Sequence, residues 1–308
     1  LKFSAMAQNY ETMGAVDDTL KAFVKVIEQR TYTPAPGMRL NLTAKIKDKV
    51  VENLGTKANT STQEKVYKFF MAEKMNNLTG SEWLQESFTI WRGIKKTKEE
   101  LSTKHPALFP QKLPQKLINL YTKKNGELIL DPFMGIGSTL LGSMNSGVKS
   151  IGLDLNKSYV SLAKKRVKKY QKDLFNEKKV YEPKIICDDA NNLLKYVKKE
   201  SVDLAITSPP YWNILNQKRT ADHKEIRTYS KSKKDLGNID DYEKFLNSLK
   251  DVFSKVYDAL KFNKRCISVV MDIRKKDKFF PLHEDQSRIM KEIGFELEEY
   301  VIWDRQID

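Results

Sequence analysis

Two short loops, each directly after an apolar run, constrain this chain more than any other feature. Leu128-Ile129-Leu130 leads into Asp131-Pro132-Phe133-Met134-Gly135-Ile136-Gly137-Ser138-Thr139, and Val202-Asp203-Leu204-Ala205-Ile206 leads into Thr207-Ser208-Pro209-Pro210-Tyr211-Trp212. Runs of that length and composition read as buried parallel strands, so each loop is expected at a strand's carboxyl end, where open α/β sheets hold their ligands. Gly135 and Gly137 let the backbone turn tightly and approach a nucleotide-like ligand that a Cβ would keep away. Two successive prolines fix φ and remove two N–H groups, which stiffens the second loop.

The pair resembles the loops of the amino-methyltransferases of DNA, which carry D-P-F-x-G-x-G-[ST] for the cofactor and [SND]-P-P-[YFW] for catalysis. The likeness extends over roughly residues 104 to 305. It implies an α/β fold, the Rossmann-like class I methyltransferase architecture: a mostly parallel twisted sheet with helices on both faces. It also implies S-adenosylmethionine as methyl donor and double-stranded DNA as partner. A restriction-modification setting follows, with a restriction endonuclease as a possible companion. In Lys104-His105-Pro106-Ala107-Leu108-Phe109-Pro110, the resemblance assigns His105, Phe109 and Pro110 to the border of the donor's methionine end. It assigns Asp131, Phe133, Gly135, Gly137 and Ser138 to the cofactor loop, ahead of a helix Thr139–Ser146 whose positive N-terminal dipole faces the donor's carboxylate.

The strands that should follow carry their own acids. Asp154 ends Ser150-Ile151-Gly152-Leu153-Asp154, about twenty residues past the first loop, where nucleotide-binding α/β folds place the acid that binds ribose hydroxyls. Lys184-Ile185-Ile186-Cys187-Asp188-Asp189 ends in two aspartates. By the resemblance one of them accepts from the adenine amino group, and the other is an N-cap for the next helix. The sequence leaves Asp188 and Asp189 open.

Composition narrows the classes. The chain has 308 residues, 55 Lys plus Arg against 40 acidic residues, and a net charge of +15. That excess suits a phosphate-bearing partner, although a lysine-rich solvated surface gives the same number. No apolar run reaches the length of a membrane span and no signal-peptide pattern opens the chain, so a cytoplasmic protein with no membrane partner is expected. Cys187 and Cys266 sit in apolar contexts, as free thiols without metal.

Residues 1–100 read as a helical N-terminal region, a DNA-contacting module or a cap, ahead of a catalytic domain over 101–308. In it, Thr79 or Ser81 is expected to cap a helix with Trp83, Leu84, Phe88 and Trp91 along one side, more suited to core than to base stacking. Residues 213–237 are polar, basic and without periodicity, a candidate DNA clamp. Further on, a helix Asp241–Leu260, a strand Arg265–Asp272, a helix Glu284–Ile293 and a strand Glu296–Trp303 are expected, with the sheet edge truncated after Asp308.

The catalytic expectation rests on Ser208, Pro209, Pro210 and Tyr211. An exocyclic amino group is a poor nucleophile because its lone pair is delocalised into the ring. Acceptors at Ser208 and the Pro209 carbonyl would draw its hydrogens, and Tyr211 would stack on the base. Trp212, Lys218, Arg219 and Arg227 are the expected substrate contacts. By the resemblance, serine at the first position leans toward cytosine N4, with adenine N6 as the alternative and an RNA or protein-side-chain methyltransferase behind them. A 5-cytosine enzyme needs a Pro-Cys nucleophile, and neither cysteine follows a proline.

Overall fold

The computed structural model describes residues 75–103, 108–123, 126–174, 181–216, 232, 234–275 and 277–305. The helices expected upstream of residue 75 lie outside these, as do His105, Lys218, Arg219 and Arg227. No described helix is long and apolar enough to cross a membrane.

In chain order the elements are α1 (Gly80–Glu86), β1 (Ile90–Trp91), α2 (Lys98–Ser102), α3 (Lys112–Tyr121), β2 (Leu128–Asp131), α4 (Ser138–Ser146), β3 (Lys149–Asp154) and α5 (Lys157–Leu174). Then come β4 (Lys184–Cys187), a 3-10 turn over Ala190–Lys195, β5 (Val202–Thr207), α6 (Tyr242–Ala259) and β6 (Leu260–Ser268). A hairpin of β7 (Ile273–Lys275) and β8 (Lys278–Phe280), α7 (Leu282–Ile293) and β9 (Ile302–Trp303) close the described chain.

Five strands form a parallel sheet in the order β4-β3-β2-β5-β6. The chain steps outward from β2 through β3 to β4, then returns across β2 to lay down β5. Strand order therefore reverses between β2 and β5, and the crevice at their carboxyl ends is where such sheets bind ligands. Alternation along the strands divides the core. Leu130 and Ala205 face α6 through Phe245, Leu249 and Val252. Ile129, Leu204 and Ile206 face α3 through Leu113, Leu117 and Ile118. Both faces are thus covered by helices, which is why β2 and β5 read as continuous apolar runs. Asp203, the acid within β5, accepts from Leu128 N at 3.0 Å and from Lys261 Nζ at 2.7 Å, so it ties β2 to β6 instead of standing unpaired.

Several sequence-based boundaries shift. The aromatic stripe expected on one helix is divided: α1, capped reciprocally by Thr79 and Glu82, ends at Glu86. Trp91 then lies in β1, paired with Trp303 of β9 and buried among Leu117 and Ile118, while Leu84 and Phe88 are 67% and 65% exposed. The strand expected at Glu296–Trp303 contracts to Ile302–Trp303. β6 starts earlier than expected, at Leu260 opposite Val202. Its polar stretch bulges out around Asn263 (φ 57°) before Arg265 re-pairs with Leu204.

Candidate active site

The glycine loop holds its shape through backbone donors. Met134 N donates to Leu153 O at 2.9 Å and Gly137 N to Met134 O at 2.8 Å. Gly135 (φ 54°) and Gly137 (φ 84°) lie in the left-handed region, and Gly137 is the residue from which α4 starts. The loop also lies flat on β3. A Cβ at Gly152 would meet Met134 Sδ at 2.7 Å, so only glycine at that strand position lets Met134 in.

Asp131 anchors the two loops to each other. It is fully buried, and accepts from Thr139 Oγ1 at 2.6 Å, Thr207 Oγ1 at 2.7 Å and Phe133 N at 3.1 Å. Thr139 lies in the first turn of α4 and Thr207 ends β5, so one carboxylate joins the glycine loop to the Ser208 loop. Burial pushes Asp131 up to about 6, and the three donors work in the opposite direction.

Both loops line one cavity of about 870 Å³, measured out to its open mouth. Its walls include Phe109, Phe133, Gly135, Ser138, Asp154, Asp189, Ser208 and Pro210. Asp154 accepts from Gly135 N at 2.9 Å and Asn156 N at 2.8 Å, and burial raises it to about 7. Ser138, first residue of α4, is 2% exposed and its Oγ has no partner. A buried hydroxyl at a helix N-terminus and a desolvated carboxylate across the glycine loop form a donor–acceptor pair. They match a ligand with a carboxylate at one end and sugar hydroxyls at the other.

On the second loop, Ser208 Oγ lies 2.9 Å from Tyr211 Oη, and both hydroxyls reach Val269 O, at 3.1 and 3.2 Å. Each hydroxyl has one proton and two lone pairs, so Ser208 Oγ keeps at least one lone pair unused by Tyr211 whichever way the protons point.

The structure separates residues that the sequence left equivalent. Asp189 lines the cavity while also capping the 3-10 turn by accepting from Asn191 N at 2.9 Å. Asp188 turns away to Tyr196 Oη at 2.7 Å and Asn192 Nδ2 at 3.0 Å, contacts that hold it below the usual carboxylate range. Gly137, Pro110, Pro209 and Asp131 are not among the residues that line the cavity; Pro110 O accepts from Leu113 N at the start of α3. Trp212 is buried beneath the loop at φ 49°, against Tyr242 and Phe280, and does not line the cavity.

Sequence reasoning missed Arg166. It is buried on α5, donates from Nη1 to Ile136 O of the glycine loop at 3.0 Å, and is held by Glu99 at 2.9 Å. Its place beside the apolar positions Val160, Ala163 and Val167 was the available signal. Asp235 and Leu236 also line the cavity, brought in from the end of the long basic segment.

A family model described as DNA methylase matches residues 18–165 and 202–307. Over 87 residues the chain is 37% identical to the orphan methyltransferase M.BamHII of Bacillus amyloliquefaciens, covering 27% of this chain and 32% of that protein. Over 81 residues it is 40% identical to the type II methyltransferase M2.LlaDCHI of Lactococcus lactis subsp. cremoris, covering 26% and 30%. The matched segment thus spans about a third of the length of these relatives. Among solved structures, a SAM-dependent methyltransferase from Aquifex aeolicus is 16% identical with a TM-score of 0.37, over 60% of this chain and 81% of that one.

Proposed function

The chain belongs to the DNA methylase family, and from that premise we propose that it transfers a methyl group from S-adenosylmethionine to an exocyclic amino group of a base in double-stranded DNA, cytosine N4 before adenine N6. The observation that carries the reading is that Ser208 and Pro210 share one cavity with Gly135, Ser138 and Asp154. The Ser208 acceptor for an amino group and a cradle for a nucleoside thus border the same space.

S-adenosylmethionine supplies a methyl group on a sulfonium, an electrophile that needs no metal. The Ser138 hydroxyl and the N-terminus of α4 would receive its carboxylate, Asp154 its ribose hydroxyls, and Asp189 its adenine amino group. Ser208 Oγ, with the Pro209 carbonyl, would accept hydrogens from the base's amino group and move its nitrogen toward tetrahedral geometry. Most of the acceleration would come from this alignment, which the Asp131 clamp keeps constant between the two loops. The amino group lies inside a duplex, so the base must be extruded first. A restriction endonuclease recognising the same site is the proposed partner.

The test is mass spectrometry of nucleosides from DNA of cells expressing the chain, with and without Ser208→Ala. N4-methylcytosine that disappears in the variant is the expected result. N6-methyladenine would keep the mechanism and reverse the choice of base. Methylated nucleosides in RNA alone, from a protein that binds donor, would overturn the DNA reading.

A further inference from the structure

The β7–β8 hairpin lies beyond both signature loops in the chain. Its pairing places Ile273 opposite Phe280, Arg274 opposite Phe279 and Lys275 opposite Lys278. Side chains alternate across a two-stranded ribbon, so the two faces differ. Ile273 is buried in the core. Phe280 packs on Trp212 with ring centroids 4.9 Å apart, and Lys275 Nζ lies 4.2 Å above the same indole. That face holds the hairpin on the residue next to Tyr211. The segment leading into it is tied to the catalytic loop a second time, through Val269 O.

The other face is turned to solvent. Phe279 is 54% exposed, with the Arg274 guanidinium of its cross-strand partner 5.7 Å from its ring centre, and Asp277 and Lys278 are exposed at the hairpin's tip, Lys278 on the same side as its partner Lys275. Met271, on the way from Val269, is 43% exposed. A single exposed phenylalanine is ordinary. What distinguishes this one is its surroundings: the hairpin's described residues carry Arg274, Lys275 and Lys278 against Asp277. Cores of protein–protein interfaces are depleted in lysine. An aromatic face flanked by cations matches stacked bases between phosphates.

We infer that the β7–β8 hairpin is a DNA-contacting element, in which Phe279 stacks on or wedges beside a base next to the extruded nucleotide while Arg274 and Lys278 hold the flanking phosphates. The inference rests on the proposed function, since it names a surface through which that substrate is held. The distance suits it. Arg274 is five residue steps from Val269, a reach of at most about 18 Å, which is about five base steps along a strand. The double contact with the catalytic loop gives the hairpin a constant position relative to Ser208. Phe279 is outside the core, so its removal should leave the fold intact.

The experiment uses the full chain and two readouts. Fluorescence anisotropy with a 30-base-pair duplex is measured over a salt series, and labelled methyl transfer is measured with whole-genome-amplified DNA, which carries every sequence unmodified. Phe279→Ala should weaken binding about tenfold, with Phe279→Trp restoring it. Arg274→Ala with Lys278→Ala should lower the slope of log affinity against log salt by about 1.8. Lys164→Ala with Lys168→Ala, an equal change of charge on the exposed face of α5, should leave the slope within about 0.5 of wild type. Wild-type methyl transfer with hairpin variants that bind like wild type would overturn the inference and leave the proposed function standing. A wild-type chain that neither binds nor methylates duplex DNA, or that binds RNA instead, would overturn both.

Discussion

Thr207→Val is the substitution that interrogates the clamp between the two loops. It keeps the side chain's shape and removes the hydroxyl that donates at 2.7 Å to Asp131 Oδ1. A hydrogen bond to an ionised group contributes about 1.5–3 kcal/mol net, and one to a neutral group about 0.5–1.5 kcal/mol. The penalty should therefore depend on whether Asp131 is charged. Burial raises Asp131 from 3.8 to about 6. With the folded-state value above the unfolded one, its contribution to stability is fully present below about pH 4 and is lost as pH rises through 6. Removing Thr207 Oγ1 takes away a group that lowers this value, so the variant keeps losing stability at higher pH. The expected result, from urea unfolding followed by circular dichroism, is a loss of about 1 kcal/mol at pH 5 and about 2 kcal/mol at pH 8. The difference of about 1 kcal/mol corresponds to a further rise of just under one pH unit in the acid. Thr139→Val, which strips the other oxygen, should behave alike. The double variant should lose less than the sum at pH 8, because a protonated acid no longer needs either donor. Equal losses at pH 5 and pH 8 would refute the argument, since they would mean that the hydroxyls do not stabilise an ionised carboxylate.

Ser138→Ala should fold at least as stably as wild type, because the hydroxyl it removes is buried without a partner; isothermal titration with S-adenosylhomocysteine should nevertheless show roughly tenfold weaker binding from the lost hydrogen bond. In the same titration affinity should rise from pH 6 to pH 8 as Asp154, raised to about 7, becomes the acceptor for sugar hydroxyls. Asp154→Asn should bind more weakly with no such slope. A wild-type affinity independent of pH would exclude this role. Thiol titration of the native protein should modify Cys187 alone, because Cys187 is exposed whereas burial pushes Cys266 up to about 12. Two equally fast thiols would contradict the packing around β6.

Much of the scaffold was legible because its signals are local. An apolar run followed by glycines or prolines identifies a buried strand and the loop at its end, and the helix expected from Asp241 to Leu260 is found as α6, Tyr242–Ala259. The spacing that put Asp154 about twenty residues past the glycine loop needs only a strand, a helix and a strand. That is why Ser208, Gly135 and Asp154 could be expected together before any fold was in hand. Where a side chain points at a strand end is a different kind of question, answered by whichever distant segment packs there. Asp189 faces the cavity because Tyr196 and Asn192 take Asp188. Trp212 is drawn under its loop by Tyr242 and Phe280, which follow it by tens of residues. Arg166 reaches Ile136 only because Glu99, from a helix before the sheet begins, holds its guanidinium. The sequence by itself determined the sheet, its two loops and the kind of ligand they suit, since these follow from local chain stiffness and periodicity. The tertiary structure alone decided which acids and aromatics face the cavity, because burial and pairing across long separations set their orientation.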